Sequence, residues 1–422
     1  MRSSGSSPAP GSLARTVDAV WRIEGAKVVA TVARMTGDLA LAEDLAQEAV
    51  AEALEQWPEA GVPRNAAAWL TAVAKRRAID SFRRRERLDA RHAALAHHLE
   101  ESAEQVWEPI ADDVLRLVFT ACHPVLSREA QVALTLRVVG GLASDEIARL
   151  FLVPTTTMQQ RIVRAKRTLT EARVPFEVPD HTEWSARLGA VLTVVYLIFT
   201  EGYAATSGER WVRRELADEA LRLGRLVGAL VPGEPEPWGL LALMEIQSSR
   251  FAARVDAAGA PVLLADQDRR RWDLSAIGRG RAALARADAL GRGRGPYALQ
   301  AAIAECHATA PSVDATDWER IVVLYEALGR VAPNPVVDLN RAVAVSMARD
   351  AATALVIVDE LVSAGALPGS HLLPSVRGEL LARMERHAEA RTELLAAASL
   401  VRNERERAVL EAKAAALPRP AG

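Results

Sequence analysis

Cysteine is nearly absent. Cys122 and Cys306 are the only two in 422 residues, far apart and in no Cys-x-x-Cys or Cys/His spacing. That argues against a disulfide framework or a structural zinc and fits a reducing compartment. Aromatic residues make up only 5% of the chain. Charge of one sign is also missing: the net charge is −2, so no nucleic-acid partner is announced globally, and a basic surface must be sought locally. The first ten residues, Met1 to Pro10, contain no apolar stretch of the kind a secretory signal needs. The longest apolar run, Leu188 to Thr200, is about 13 residues, short of the ~20 that span a bilayer, and reads as a buried helix. The expected location is the cytoplasm, with no membrane partner.

Half the residues are apolar and a quarter charged, the balance of a folded chain. A length of 422 residues calls for two or three domains. Alanine, leucine, arginine and glutamate dominate, which favours helix nearly everywhere, and an all-α fold is expected. A flexible tail (1–12) precedes a helical block (13–87). An acidic linker (88–111) carrying Glu100, Glu101, Glu104 and Glu108 leads to a second helical block (112–173). Pro175 and Pro179 break the pattern over 174–180, because proline cannot continue a helix. From 181 to 417 helical pairs alternate with Pro/Gly breaks. Asn340–Val345 and Val376–Leu381 begin similar helix–turn–helix units about 36 residues apart, with Ala354 or Ala390 in the second helix. This is similar to a tetratricopeptide array, although the full signature is absent.

The sharpest motif runs Leu142-Ala143-Ser144-Asp145-Glu146-Ile147-Ala148-Arg149, through Pro154, to Thr155-Thr156-Thr157-Met158-Gln159-Gln160-Arg161-Ile162-Val163-Arg164-Ala165-Lys166. Ser144 is placed to cap a first helix, and a threonine to cap the second. In the second helix Met158, Ile162, Ala165 and Leu169 form an apolar stripe. The opposite face carries Thr156, Gln160, Arg164 and Arg167, side chains that reach base edges and phosphates from a major groove. An ordinary αα-hairpin with a solvated basic face would show the same charges.

A second segment, Trp69 to Arg85, repeats Leu70, Ala74, Ala78 and Phe82 every four residues, a core face, and sets Arg76, Asp80, Arg83 and Arg87 on another. Between Lys75 and Arg87 lie seven basic and two acidic residues, enough for salt-dependent phosphate contacts, or for a solubilising surface. Upstream, Ala42 to Val50 puts Asp44, Gln47 and Glu48 on one helical face by their i, i+3, i+4 spacing.

Taken in this order, the segments resemble the extracytoplasmic-function RNA polymerase sigma factors over about Leu13 to Arg173. The resemblance implies two small helical sigma modules, region two and region four, and assigns roles position by position. Asp44, Gln47 and Glu48 would dock on core RNA polymerase, whose β′ and β subunits are the expected partners. Asn65, Trp69, Lys75, Arg76, Asp80, Arg83 and Arg84 would read and open the −10 element, with the loop Glu59 to Asn65 holding a flipped-out base. Thr156, Thr157, Gln160, Arg161, Arg164 and Arg167 would read the −35 element of promoter DNA. Two positions depart from the family pattern: Leu152 stands at a turn where glycine is usual, and Arg76 where asparagine is common.

Tyr196 to Tyr203, Leu264 to Asp273 and Gly295 to Ile303 resemble the C-terminal extension of one sigma-factor subgroup, a helical, tetratricopeptide-like regulatory domain where an unidentified regulator would act. Asp266, Asp268 and Asp273 are read as an interhelical salt-bridge network with Arg269, Arg270 and Arg271, and Gly291 to Gly295 as a basic turn, not a phosphate loop. His97, His98 and His123 have no partners at metal-ligand spacing, and no nucleophile or paired-carboxylate arrangement stands out. No enzyme activity, metal or cofactor is expected. Two rivals stay open: a helix-turn-helix regulator with a ligand-binding repeat domain, and a protein-interaction scaffold.

Overall fold

The computed structural model of the chain describes residues 10–86, 111–151, 153–203, 214–256, 262–401 and 404–418. Most of the expected tail and acidic linker, His97, His98, Arg87 and Leu152 lie outside the described residues, and of Arg84 only the backbone is described. The described residues are all-α, with eighteen α-helices, three short 3-10 turns and no strand among them. They form two compact units, Met1–Gly202 with Glu215–Leu230, and Tyr203–Arg214 with Val231–Gly422.

The first unit begins with α1 (Pro10–Thr36), α2 (Leu39–Ala60) and α3 (Ala66–Glu86), three helices in mutual contact. Gly37, with φ of 65°, turns the chain after α1, and Asp38 then caps α2 by accepting from the N–H groups of Ala40 and Leu41 at 2.8 and 3.2 Å. The every-fourth-residue stripe of α3 is the core: Leu70, Ala74 and Ala78 are fully buried and Phe82 nearly so. Next come α4 (Ala111–Ala121), α5 (Arg128–Val138), α6 (Ser144–Phe151) and α7 (Thr155–Glu171). Helix α5 is buried nearly all round, so its sequence carries no stripe to read. After α7 the chain leaves helical geometry through Arg173, at φ of 50°, and the prolines that follow.

Helices α8 (Trp184–Tyr203) and α9 (Arg214–Leu230) follow, and all of α8 up to Gly202 and α9 from Glu215 belong to the first unit. Helix α8 is longer than the apolar run inside it. Its 20 residues and mean hydropathy of 1.3 would suffice to cross a bilayer by length and composition. Leu188, Val191, Leu192, Val195, Ile198 and Phe199 are instead buried inside the unit, as expected of the run. Trp184 packs on Phe119 of α4, and Arg187 donates to the Phe119 carbonyl at 3.1 Å. Arg222 of α9 donates to the Val139 carbonyl at 3.1 Å.

The second unit contains α10 (Pro235–Ser248), α11 (Leu274–Ala289), α12 (Pro296–Thr309), α13 (Trp318–Val331), α14 (Pro335–Ala348), α15 (Ala351–Ser363), α16 (Leu372–Arg383), α17 (His387–Leu400) and α18 (Glu404–Ala416). From α12 onward, successive helices pack on one another through short connections. Ala354 and Ala390, the small residues singled out by the 36-residue similarity, are fully buried in α15 and α17. Two glycines permit the closest approaches. A Cβ on Gly239 would come within 2.6 Å of the Ala298 nitrogen, and one on Gly280 within 2.5 Å of the Ile246 side chain.

The interhelical salt-bridge network expected around Asp266 to Asp273 is not what forms. Asp268 pairs with Arg270, two residues away, at 3.0 Å. Asp273 caps α11 by accepting from the N–H groups of Ser275 and Ala276. Arg269 donates to the carbonyls of His307 and Ala310. The local competition wins because aspartate, with its short side chain, reaches nearby backbone N–H groups more readily than a distant helix.

Candidate nucleic-acid interface

Helices α6 and α7 form the helix-turn-helix. Ala143 N–H donates to the Glu146 carboxylate at 2.8 Å, which ties down the start of α6. The cap of α7 differs from the sequence expectation: Pro154, at φ of −58° and ψ of 142°, occupies the N-cap position and supplies no side-chain bond. The threonines therefore lie inside the first turn, whose backbone N–H groups point outward beside exposed Thr155, Thr156 and Thr157. Met158, Ile162, Ala165 and Leu169 are all buried. That stripe fixes the rotation of α7 and turns Thr156, Gln160, Arg164 and Arg167 to solvent. Thr157, Gln160, Arg161 and Arg164 line a groove of about 370 Å³ together with Ser127 and Ala130. Arg161 is half-buried and lies in the field of Glu129, whose carboxyl is held below its usual range chiefly by a backbone hydrogen bond and Ser127.

Just before α3, Asn65 is exposed but engaged: its Oδ1 accepts from Ala68 N–H at 2.9 Å, the bond of a helix cap. Trp69, half-buried one turn later, meets the buried Trp57 edge-on at 5.4 Å between ring centroids. Asp80 and Arg83 are exposed. Arg76 pairs with Glu52 at 2.9 Å, and Arg77 with Glu48 and Glu52 at 2.7 and 2.8 Å. Lys75 is half-buried, and burial followed by the Arg34 charge pulls its ammonium below the ordinary lysine range.

On α2, Asp44 and Glu48 are exposed and Gln47 is half-buried. Each acid already has a basic neighbour within the unit: Asp44 pairs with Lys166 at 3.3 Å, Glu48 with Arg77. The residue that sequence reasoning passed over is Glu43. It is only 3% exposed, accepts from Arg137 at 2.8 Å and also pairs with Lys166 of α7. Its register would have shown it, since Glu43 falls four residues after Leu39 and three before Ala46 on the buried face of α2. Arg22 of α1 likewise pairs with Glu146 of α6, and Arg34 with the fully buried Asp113 of α4 at 3.1 Å.

Among the described residues no His/Cys/Asp/Glu group is arranged to hold a metal. Cys122 is buried, and loss of hydration pushes its thiol up to about 12, which makes it inert.

Three stretches match known families. Residues 22–88 match sigma-70 region 2, residues 116–169 match sigma-70 region 4, and residues 187–288 match a family of unknown function (DUF6596). An uncharacterized protein of Rhizobium meliloti is 45% identical over 387 residues, covering 88% of this chain and 89% of that protein. A protein of Mycobacterium tuberculosis named as a probable ECF RNA polymerase sigma factor, SigI, is 30% identical over 170 residues, covering 38% of this chain and 57% of that protein.

Proposed function

The chain belongs to the extracytoplasmic-function RNA polymerase sigma factors, in the subgroup with a C-terminal helical extension, and from that premise we propose that it directs promoter-specific initiation in the cytoplasm by holding core polymerase and two promoter elements at once. The observation that carries the reading is the two-sided α7: a buried stripe anchors it, Thr156, Thr157, Gln160, Arg164 and Arg167 face outward, and Thr157, Gln160 and Arg164 line a groove. In this reading they read the upstream element, Arg161 supporting them from beside Glu129. Exposed Asp80 and Arg83, with Arg76, Arg84 and Lys75, track the melted downstream strand. Trp69 at the edge of the 61–65 loop supplies a stacking face, and Asn65 shapes that loop as a cap. Asp44, Gln47 and Glu48 meet a basic surface of the polymerase, exchanging their pairs with Lys166 and Arg77 for intermolecular ones. The domain assignment follows: region two over 13–87, region four over 112–173, and a regulatory C-terminal domain.

Co-purification with core polymerase followed by run-off transcription tests this. Arg164→Ala with Arg167→Ala is expected to lose promoter-directed transcripts while still binding polymerase. Loss of both together would overturn the division of labour, and stable duplex binding without polymerase would favour a free-standing helix-turn-helix regulator. For the C-terminal domain, a chain ending at Leu230 keeps the whole first unit, including α8 and α9. Promoter output unchanged by that truncation would remove the regulatory role.

A further inference from the structure

In the second unit several arginines reach acids: Arg279, Arg292 and Arg294 meet Glu245, Glu234 and Asp288 at 2.9, 2.9 and 2.7 Å. Three neighbouring ones, Arg250, Arg254 and Arg269, do not. Among the described residues no carboxylate lies within ion-pair distance of Arg250, Arg254 or Arg269, although each is partly buried. Arg250 donates to Tyr203 Oη and Gln247 Oε1. The Arg254 guanidinium lies 3.6 Å from the centre of the Tyr203 ring, and that of Arg269 4.7 Å from the Trp272 ring.

Arg250 joins the group electrostatically. Burial first, and then the Arg250 charge, pulls both Arg254 and Arg269 below the ordinary arginine range. Burial together with Arg250 and Arg269 pushes the His307 imidazole down to about 4, so it stays neutral at pH 7 and adds no charge. Three donors at this place are buried and without partners: Arg254 Nε, Arg269 Nη2 and Trp272 Nε1. Cation–π contact with Tyr203 and Trp272 returns only part of the hydration lost by guanidinium groups that also repel one another. A buried donor without an acceptor adds a further cost. Positive charge with no carboxylate among the described residues, plus unused donors at one place, is the composition of an anion receptor.

We propose that the C-terminal unit binds a phosphate-class oxyanion, inorganic phosphate or a phosphomonoester, between Arg250, Arg254, Arg269 and the indole N–H of Trp272. A multiply charged tetrahedral oxyanion balances three guanidinium groups better than a single carboxylate, and the arginine fork donates to two of its oxygens at a time. The site draws together Tyr203, the end of α10, the Leu264–Asp273 segment and His307 of α12, so two of the extension's three family-like motifs meet at it. It identifies the ligand class for the regulatory domain, and is independent of promoter recognition because it is read without DNA or polymerase.

The experiment is calorimetric titration of the full chain with inorganic phosphate in low-chloride buffer, with acetate and citrate as carboxylate arms. Saturable phosphate binding is expected, weakened roughly tenfold or more in Arg254→Gln by loss of a charge-assisted bond. Arg292→Gln, at an exposed ion pair elsewhere in the unit, should bind as the unsubstituted chain does. Hydrogen exchange on the unsubstituted chain should show phosphate protecting residues 247–254 and 266–272, a readout that stands even if Arg254→Gln fails to fold. Absence of saturable phosphate binding, protection confined to other segments, or full affinity in a folded Arg254→Gln chain would each overturn the proposal. Tighter binding of either carboxylate than of phosphate would overturn the ligand class.

Discussion

In the first unit Arg137 and Lys166 converge on Glu43 in a site with little access to water, whereas in the second Arg250, Arg254 and Arg269 come together with no acid among the described residues. The cations are similar and the burial comparable, so the difference lies in the partner. A buried acid between two bases is a structural joint, holding α2, α5 and α7 in one register. A group of bases without an acid gives the fold little, and makes sense as a place kept for something that arrives. The same arithmetic separates both groups from Arg164 and Arg167, which keep their hydration, cost little to maintain, and act at a range that salt shortens.

The comparison breaks most readily at Glu43. Replacing it by alanine leaves Arg137 and Lys166 facing each other, and about 3–5 kcal/mol of stability should be lost in denaturant melts. A loss no larger than that of a surface pair would mean the joint is wetter than its exposure indicates. Next in size is the acid limb of the second unit. His307 has a folded pKa of about 4 against an ordinary value of 6.5. The unfolded chain therefore takes up the proton first. Stability from this group is present above about pH 6.5, falls as pH drops through that value, and levels off near pH 4, with a total of about 3 kcal/mol. His307→Gln should flatten that part of a stability-against-pH curve, and identical curves for the two chains would refute it. Bound phosphate should shrink the same loss, because an anion beside the imidazole raises its folded pKa.

Smaller again is the effect at the solvated arginines. Each of Arg164→Ala and Arg167→Ala should cost about 1–3 kcal/mol of promoter discrimination while leaving thermal stability nearly unchanged. Run-off assays on matched and scrambled promoters, beside melts of the same proteins, check both halves. The smallest effect is expected at Asp38. Its cap on α2 is a local bond at a helix end, and Asp38→Ala should cost about 1 kcal/mol in a thermal melt. A loss rivalling that at Glu43 would erase the distinction between a cap and a joint.

Much of the first unit was legible in advance because its signals are local. A stripe such as Leu70, Ala74, Ala78 and Phe82 fixes which face of a helix is dry, and thereby which of Asp80 and Arg83, or Gln160 and Arg164, is wet. The N-cap of α7 was misread because threonine is a good cap anywhere, and only the backbone shows that Pro154 already holds the position. The aspartates near Arg269 were misread for a related reason. Capping and turn bonds at two or three residues' distance compete with interhelical pairs, and sequence alone does not rank them.

What the amino-acid order determined by itself was the all-helical class, the breaks between helices, the buried stripes and the family-like faces of α3 and α7, since each follows from spacings of three or four residues. What only the tertiary structure decided was which charges meet. Glu43 finds Arg137 and Lys166 at separations of 94 and 123 residues, and Arg250 comes within the field of Arg269 and His307 from different elements. Helical periodicity states which way a side chain points, but the partner it meets depends on how whole helices pack, and that is a property of the assembled core.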